Sequence, residues 1–164
     1  MENARSTMGK ASNFVTLPFA VTDFDGYAQF HLNVLDGTSS LLPFDQHAKS
    51  TSEWRDFPDL VVEKIIDVPT IRLDTFFDRM AIREVEFLKI DTQGNDLKVV
   101  QSAGDRIKDI AKITLEVDIT PVSLYHGSSG KKETIAYMKS VGMKLVSVES
   151  QSKGLEENLT FVHG

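Results

Sequence analysis

From residue 85 onward the chain alternates between short β-favouring runs and helical stripes. That alternation limits the fold more than any other feature of its 164 residues. Val85–Ile90 reads as a short buried strand, and Leu97, Val100 and Ala103 then form an apolar helical stripe that stops at Gly104. Ile110–Val117 is the next strand. Lys131–Val141 follows as a helix with Ile135, Met138 and Val141 inward and Gly142 as its stop. Lys144–Val148 and Asn158–Val162 close the chain as two strands joined by a short turn containing Gly154. This succession predicts an α/β fold with a mostly parallel sheet and crossover helices. The short last turn predicts an antiparallel strand at one terminal edge of that sheet.

The first half is less regular. Residues 1–13 read as a polar leader or the remnant of a helix, and 14–164 as one domain of ordinary size. Phe14–Val21 is a β-favouring run that stops at a turn, Asp23-Phe24-Asp25-Gly26. Tyr27–Val34 then alternates like a half-buried strand, so the two are expected to form a hairpin. Residues 36–59, rich in Ser, Asp and Pro, form an irregular insertion, either a lid over a site or a variable surface loop. Val61–Val68 reads as a strand ending at Pro69. Leu73, Phe76, Phe77 and Met80 share one helical stripe, with Asp74 placed to cap it.

Composition narrows the partners. A net charge of −6 and a pI near 5.2, with scattered basic residues, argue against a nucleic-acid groove. No apolar run approaches the ~20 residues of a membrane span. The N-terminus does not resemble a signal peptide, and cysteine is absent, so a cytoplasmic location is expected. Small molecules or other proteins are the expected partners. No two of the ten glycines are spaced two apart, which excludes a G-x-G nucleotide fingerprint within the chain.

In an open α/β sheet, ligands bind beyond the carboxyl ends of the strands. Three acidic exits fall there: Asp23, Asp91 with Gln93 and Gly94, and Glu116 with Asp118. Together on one sheet edge they suit hydroxyls, a cationic group or a metal, though an acidic residue after a strand also serves as a plain turn former. Asp91 stands out, because Lys89–Gly94 packs a carboxylate, an amide and a glycine into one tight exit. His126 follows the third exit and could reach the same edge as a general base, since imidazole titrates near neutrality. No histidine spacing for a metal and no serine-nucleophile motif is present. Residues alone therefore indicate a ligand-binding edge without a defined reaction.

The stretch from Val68 to Phe77, the block Val85–Gly104 containing Lys-Ile-Asp-Thr-Gln-Gly, and Ile113–Val117 resemble, in that order, the FkbM family of S-adenosylmethionine-dependent methyltransferases. Phe19–Asp23 with Gly26 is similar to that family's A-V-S-D-x-x-G segment, and Ser39–Leu42 to its serine-leucine patch. The resemblance runs from about residue 14 to 162. It implies a Rossmann-like methyltransferase sheet, S-adenosylmethionine as cofactor, and methyl transfer to a hydroxyl of a sugar or natural-product acceptor. Ala20, Val21 and Asp23 would lie beside the adenine, and Asp91, Gln93, Gly94 and Glu116 near the methyl donor. Asp91 or His126 would take the hydroxyl proton. No metal is implied.

Two departures from the family pattern matter. Gln93 replaces the usual Glu, keeping hydrogen bonding but losing a charge, and Asp96 replaces a second Glu. The family's first strand, Gly-rich cofactor loop and ribose-binding acid should precede residue 14, where this chain has thirteen residues and no G-x-G. The sequence is therefore expected to be the back two-thirds of such a domain, with N-terminal strands missing or truncated and an exposed sheet edge that favours self-association. The alternatives are a non-enzymatic remnant or ligand-binding module and, less consistent with the motifs, a metal-dependent hydrolase.

Overall fold

The computed structural model describes residues 15–57 and 59–164, so the N-terminal leader and Phe14 lie outside the described residues. Among the described residues seven strands form two sheets. The first holds β1 (Ala20–Val21), β2 (Gly26–Asn33) and β3 (Val62–Ile71) in the order β1-β3-β2. The second holds β4 (Leu88–Ile90), β5 (Lys112–Asp118), β6 (Met143–Gln151) and β7 (Glu156–His163) in the order β4-β5-β7-β6. Among the described residues three α-helices accompany them: α1 (Leu73–Arg79), α2 (Asp96–Gln101) and α3 (Lys131–Ser140). Among the described residues no helix is long and apolar enough to cross a membrane.

The first sheet corrects the predicted hairpin. β1 runs parallel to β3, with Ala20 opposite Thr70, and the antiparallel pair is β2 with β3. Asp25 shows why. Its carboxylate accepts the Arg72 backbone N–H at 3.0 Å and the Thr75 hydroxyl at 2.8 Å, so the Asp-x-Asp-Gly segment braces the start of α1 instead of closing a tight turn. Asp74 is not the cap, because α1 already begins at Leu73 and places Asp74 in its first turn. Asp74 grips the Arg72 guanidinium through two bonds of 2.9 and 2.7 Å and also accepts the Thr75 N–H. β3 runs through Pro69 to Ile71. Pairing with β1 begins only at Thr70, so the donor Pro69 lacks is not demanded by that ladder. Met80, expected inward, is 55% exposed beyond the end of α1.

The second sheet is mixed, with β4, β5 and β6 running one way and β7 the other. β4 and β5 are parallel, but β7 is antiparallel to both of its neighbours, β5 and β6. The reversed strand thus sits inside the sheet and β6 forms the edge, contrary to the expected antiparallel edge. Strand alternation then divides the faces. Ile113, Leu115 and Val117 of β5 are buried with Leu159 and Phe161 of β7. Leu73 and Phe77 of α1, Leu97 and Val100 of α2, and Met138 of α3 complete that core. Thr114, Glu116 and Asp118 point to the opposite face, where the Thr114 and Thr160 hydroxyls meet at 2.8 Å.

Among its described residues the 36–59 segment holds short 3-10 turns at Asp36–Thr38 and Ala48–Ser50 and isolated bridges from Ser40 to His31 and from Phe44 to Tyr125, yet it is not a loose surface loop. Phe44, Ala48, Trp54 and Leu60 are buried with Leu124 and Tyr125 in a second apolar cluster. The segment therefore carries its own small core.

Candidate active site

The strand ends bring a polar network together on the face opposite the main core. Gln93 is its centre. It follows β4 in a left-handed conformation (φ +54°) that costs a non-glycine residue on the order of 1–3 kcal/mol, so its surroundings must hold it there. The side-chain NH2 donates to Asp91 Oδ1 at 2.9 Å and to Glu116 Oε2 at 3.2 Å, and its carbonyl accepts the Tyr125 hydroxyl at 2.9 Å. The two carboxylates fix the amide orientation, because only the NH2 end can donate to them. Behind it, the buried Ser40 hydroxyl donates to the Gln93 backbone carbonyl at 2.7 Å. The serine-leucine patch thus ties the 36–59 segment to the β4 exit.

Charge around this network is mostly negative. Lys89 Nζ lies 3.4 Å from Asp91 Oδ2 and donates to Asn158 Oδ1 at 2.9 Å. Glu116 is raised to about 7, first by burial and then by Glu156, Asp91 and Asp96, with Lys89 opposing. Asp96, only 4% exposed, is raised to about 6 by burial, offset by the Thr92 backbone N–H. Glu156 is also raised by burial, although the Ser152 hydroxyl donates to it. Burial and these acids raise the Tyr125 phenol too, so it stays a donor. Among the described residues no set of three His, Cys, Asp or Glu side chains is placed to hold a metal ion.

The other residues singled out by sequence occupy different places. Gly94 (φ +90°) makes its close approach to protein: a Cβ there would lie 2.9 Å from Tyr125 Cβ and 3.1 Å from Ser128 Cβ. Glu116 stands within β5, not beyond it. Asp23 follows β1 of the three-stranded sheet, so the three acidic exits do not share one sheet edge. Its carboxylate accepts the Thr22 hydroxyl at 3.1 Å and is exposed. Ala20 and Val21 are half-buried, and the Val21 carbonyl accepts the side-chain amide of buried Asn95, which links β1 to the start of α2. His126 is exposed and faces Asp45, with Nδ1 to Oδ2 at 3.5 Å, while its neighbour Tyr125 reaches Gln93.

Tyr125 and Glu156 were not evident from sequence, and Ser40 was marked only as part of the serine-leucine patch. Tyr125 adjoins a residue that was, and Glu156 lies opposite Asp118 in the β5–β7 register, which the alternation of β7 could have revealed. Chemically, the arrangement can hold a cation against Asp91 and accept a proton at Glu116.

A family model described as the methyltransferase FkbM domain matches residues 2–145. A search of curated proteins returns no significant match, and a search of solved structures returns none either. The family match spans most of the chain and contains the whole Asp91–Gln93–Glu116 network, so the chain belongs to the FkbM methyltransferase family.

Proposed function

We propose that the chain uses S-adenosylmethionine to methylate a hydroxyl oxygen on a small-molecule or carbohydrate acceptor. The observation that carries this reading is the Asp91–Gln93–Glu116 network, an acidic, partly buried patch at the ends of β4 and β5 in a chain of a methyltransferase family. The order β4-β5-β7-β6, with one reversed strand inside, supports a Rossmann-like methyltransferase sheet.

The donor set fits the positively charged part of that cofactor, since Asp91 leaves 48% of its side chain open beside Glu116. Asp91, Gln93, Gly94 and Glu116 would hold that part, and Ala20, Val21 and Asp23 would lie along the adenine. When bound, S-adenosylmethionine supplies a methyl carbon activated by a positive sulfur. The protein's share is alignment and removal of the acceptor's hydroxyl proton. Glu116, titrating at about 7, is suited to take that proton near neutral pH. Asp91 is the second candidate. His126 would act only on an acceptor lying against Asp45.

Calorimetric titration with S-adenosylmethionine tests the reading. Saturable binding is expected, and Asp91→Asn, at an exposed position, should weaken it roughly tenfold. A cooperatively folded chain that gives no saturable heat would favour a non-enzymatic module instead.

A further inference from the structure

The Tyr125 hydroxyl stands between two acceptors. The Thr38 carbonyl lies at 2.8 Å and Gln93 Oε1 at 2.9 Å, yet a phenol has a single proton to give. The two acceptors do not need it equally. Thr38 also accepts the Asn33 side-chain amide at 2.6 Å, whereas among the described residues Gln93 Oε1 has Tyr125 alone. With Asp91 and Glu116 both charged, Gln93 turns its NH2 to them and its oxygen to the phenol. Donation then runs from Tyr125 through Gln93 to Glu116, and Thr38 has the weaker share.

A proton on Glu116 permits the opposite order. An amide turned end over end exchanges its nitrogen and oxygen with little displacement of its neighbours, because the two ends are nearly the same size. The Glu116 O–H then donates to Gln93 Oε1, the Gln93 NH2 to the Tyr125 oxygen, and the phenol to Thr38. Asp91 loses its bond from Gln93 in that order, but it faces water, and Lys89 Nζ lies 3.4 Å from its other oxygen. Thr38 ends the 3-10 turn Asp36–Thr38, which is closed by bonds from the Thr38 N–H to Leu35 at 2.9 Å and from the Ser39 N–H to Asp36 at 3.1 Å. Leu35, Gly37 and Thr38 line the same cleft as Gln93 and Glu116, so this turn is one wall of the space beside the network.

We infer that Gln93 and Tyr125 form a proton-linked latch: protonation of Glu116 reverses the hydrogen-bond chain and fastens the Asp36–Thr38 turn, and ionisation of Glu116 loosens it. The groups around Glu116 suit this role. Lys89 and Asp91 face it from β4 and its exit, Asp96 from α2, Glu156 from β7, Asp118 from its own strand and Lys153 from the β6–β7 turn. Burial and this mostly acidic surround place its titration at about 7. Any effect of the latch on turnover rests on the methyl-transfer reading above. The latch itself needs no cofactor.

Amide exchange followed by NMR from about pH 5 to about pH 8.5, corrected for the intrinsic rate at each pH, tests the inference. Protection of the Thr38 and Ser39 amides, taken relative to Ile113 and Phe161 in the core, should fall about fivefold as pH rises. The midpoint should match the titration of the Glu116 carboxyl carbon in the same samples. Glu116→Gln keeps a donor facing Gln93 and should hold the turn at its acid-side protection throughout. Tyr125→Phe should hold it at or below its alkaline-side protection, with no slope. A flat wild-type profile overturns the latch. So does a slope that survives Glu116→Gln, which would assign it to another group such as His126 beside Asp45. A slope that survives Tyr125→Phe overturns it as well, because a phenol that merely props the turn would lower protection without altering its pH dependence. Titration with S-adenosylmethionine keeps the two readings apart: a working latch in a chain that binds no cofactor removes methyl transfer alone, and cofactor binding with a flat profile removes the latch alone.

Discussion

At the scale of single residues, Gln93 explains how so much negative charge is tolerated. A glutamate there would place a third carboxylate against Asp91 and Glu116. The amide instead donates to both and still receives the Tyr125 hydroxyl. Asp91, Gln93 and Glu116 were legible because they stand at or near strand ends within a recognisable motif. Tyr125 was not, and the serine-leucine patch did not reveal Ser40's partner, because the bonds that recruit them span 32 and 53 positions. The remaining strain on the network is the ionisation of Glu116, which has a measurable consequence. Its folded value of about 7 lies above the ordinary 4.5, so between those values the folded chain holds a proton that the unfolded chain releases. This contribution to stability is complete below about pH 4.5 and is lost as pH rises through about 7. Asp96, raised to about 6, and Glu156, raised by burial, act in the same direction, whereas Asp25 and Asp74, which are lowered, titrate below this window. Melting temperature should therefore fall from about pH 5 to about pH 8. Glu116→Gln should remove about 1 kcal/mol of that change, a figure reduced for solvent screening. An unchanged slope in Glu116→Gln would place the buried proton elsewhere.

At the scale of elements, periodicity located the strands and helices after residue 85 to within a few residues, because each buries a face that its own sequence marks. What periodicity did not supply was partnership. β1 and β2 are neighbours in sequence but both pair with β3, because Asp25 is engaged by Arg72 and Thr75, some 50 residues away. The 36–59 segment was equally opaque. Its apolar residues follow no helical or strand period, since they form a cluster of their own against Leu124 and Tyr125. That separation predicts a local response. Trp54→Ala should cost about 3 kcal/mol, and the loss should appear first as faster amide exchange across residues 36–60 and at Leu124 and Tyr125. Exchange in β5 and β7 should change little. An equal rise in those strands would mean that the two clusters unfold as one unit.

At the scale of the whole molecule, the second sheet is protected on its core face and less so along its sides. β4 and β6 are its outer strands, and among the described residues each has one ladder partner. β4 is only three residues long and carries Lys89, features that limit pairing with another chain. β6 is the greater liability. It runs for nine residues, and Val146 and Val148 are 53% and 46% exposed. Val146 also falls at the irregularity in the β6–β7 register, so its place in the ladder is already disturbed. Lys144 and Glu149 supply charge on either side, but nothing polar interrupts the stretch except Ser147. An edge of this length and composition is a template for another strand, and the protein should self-associate through it as concentration rises. Sedimentation velocity across a hundredfold concentration range should show the weight-average coefficient increasing. Val146→Lys, which puts a charge on the edge without touching the main core, should hold the protein monomeric over the same range. A wild-type monomer at every concentration, or association indifferent to Val146→Lys, would show that β6 is not the contact.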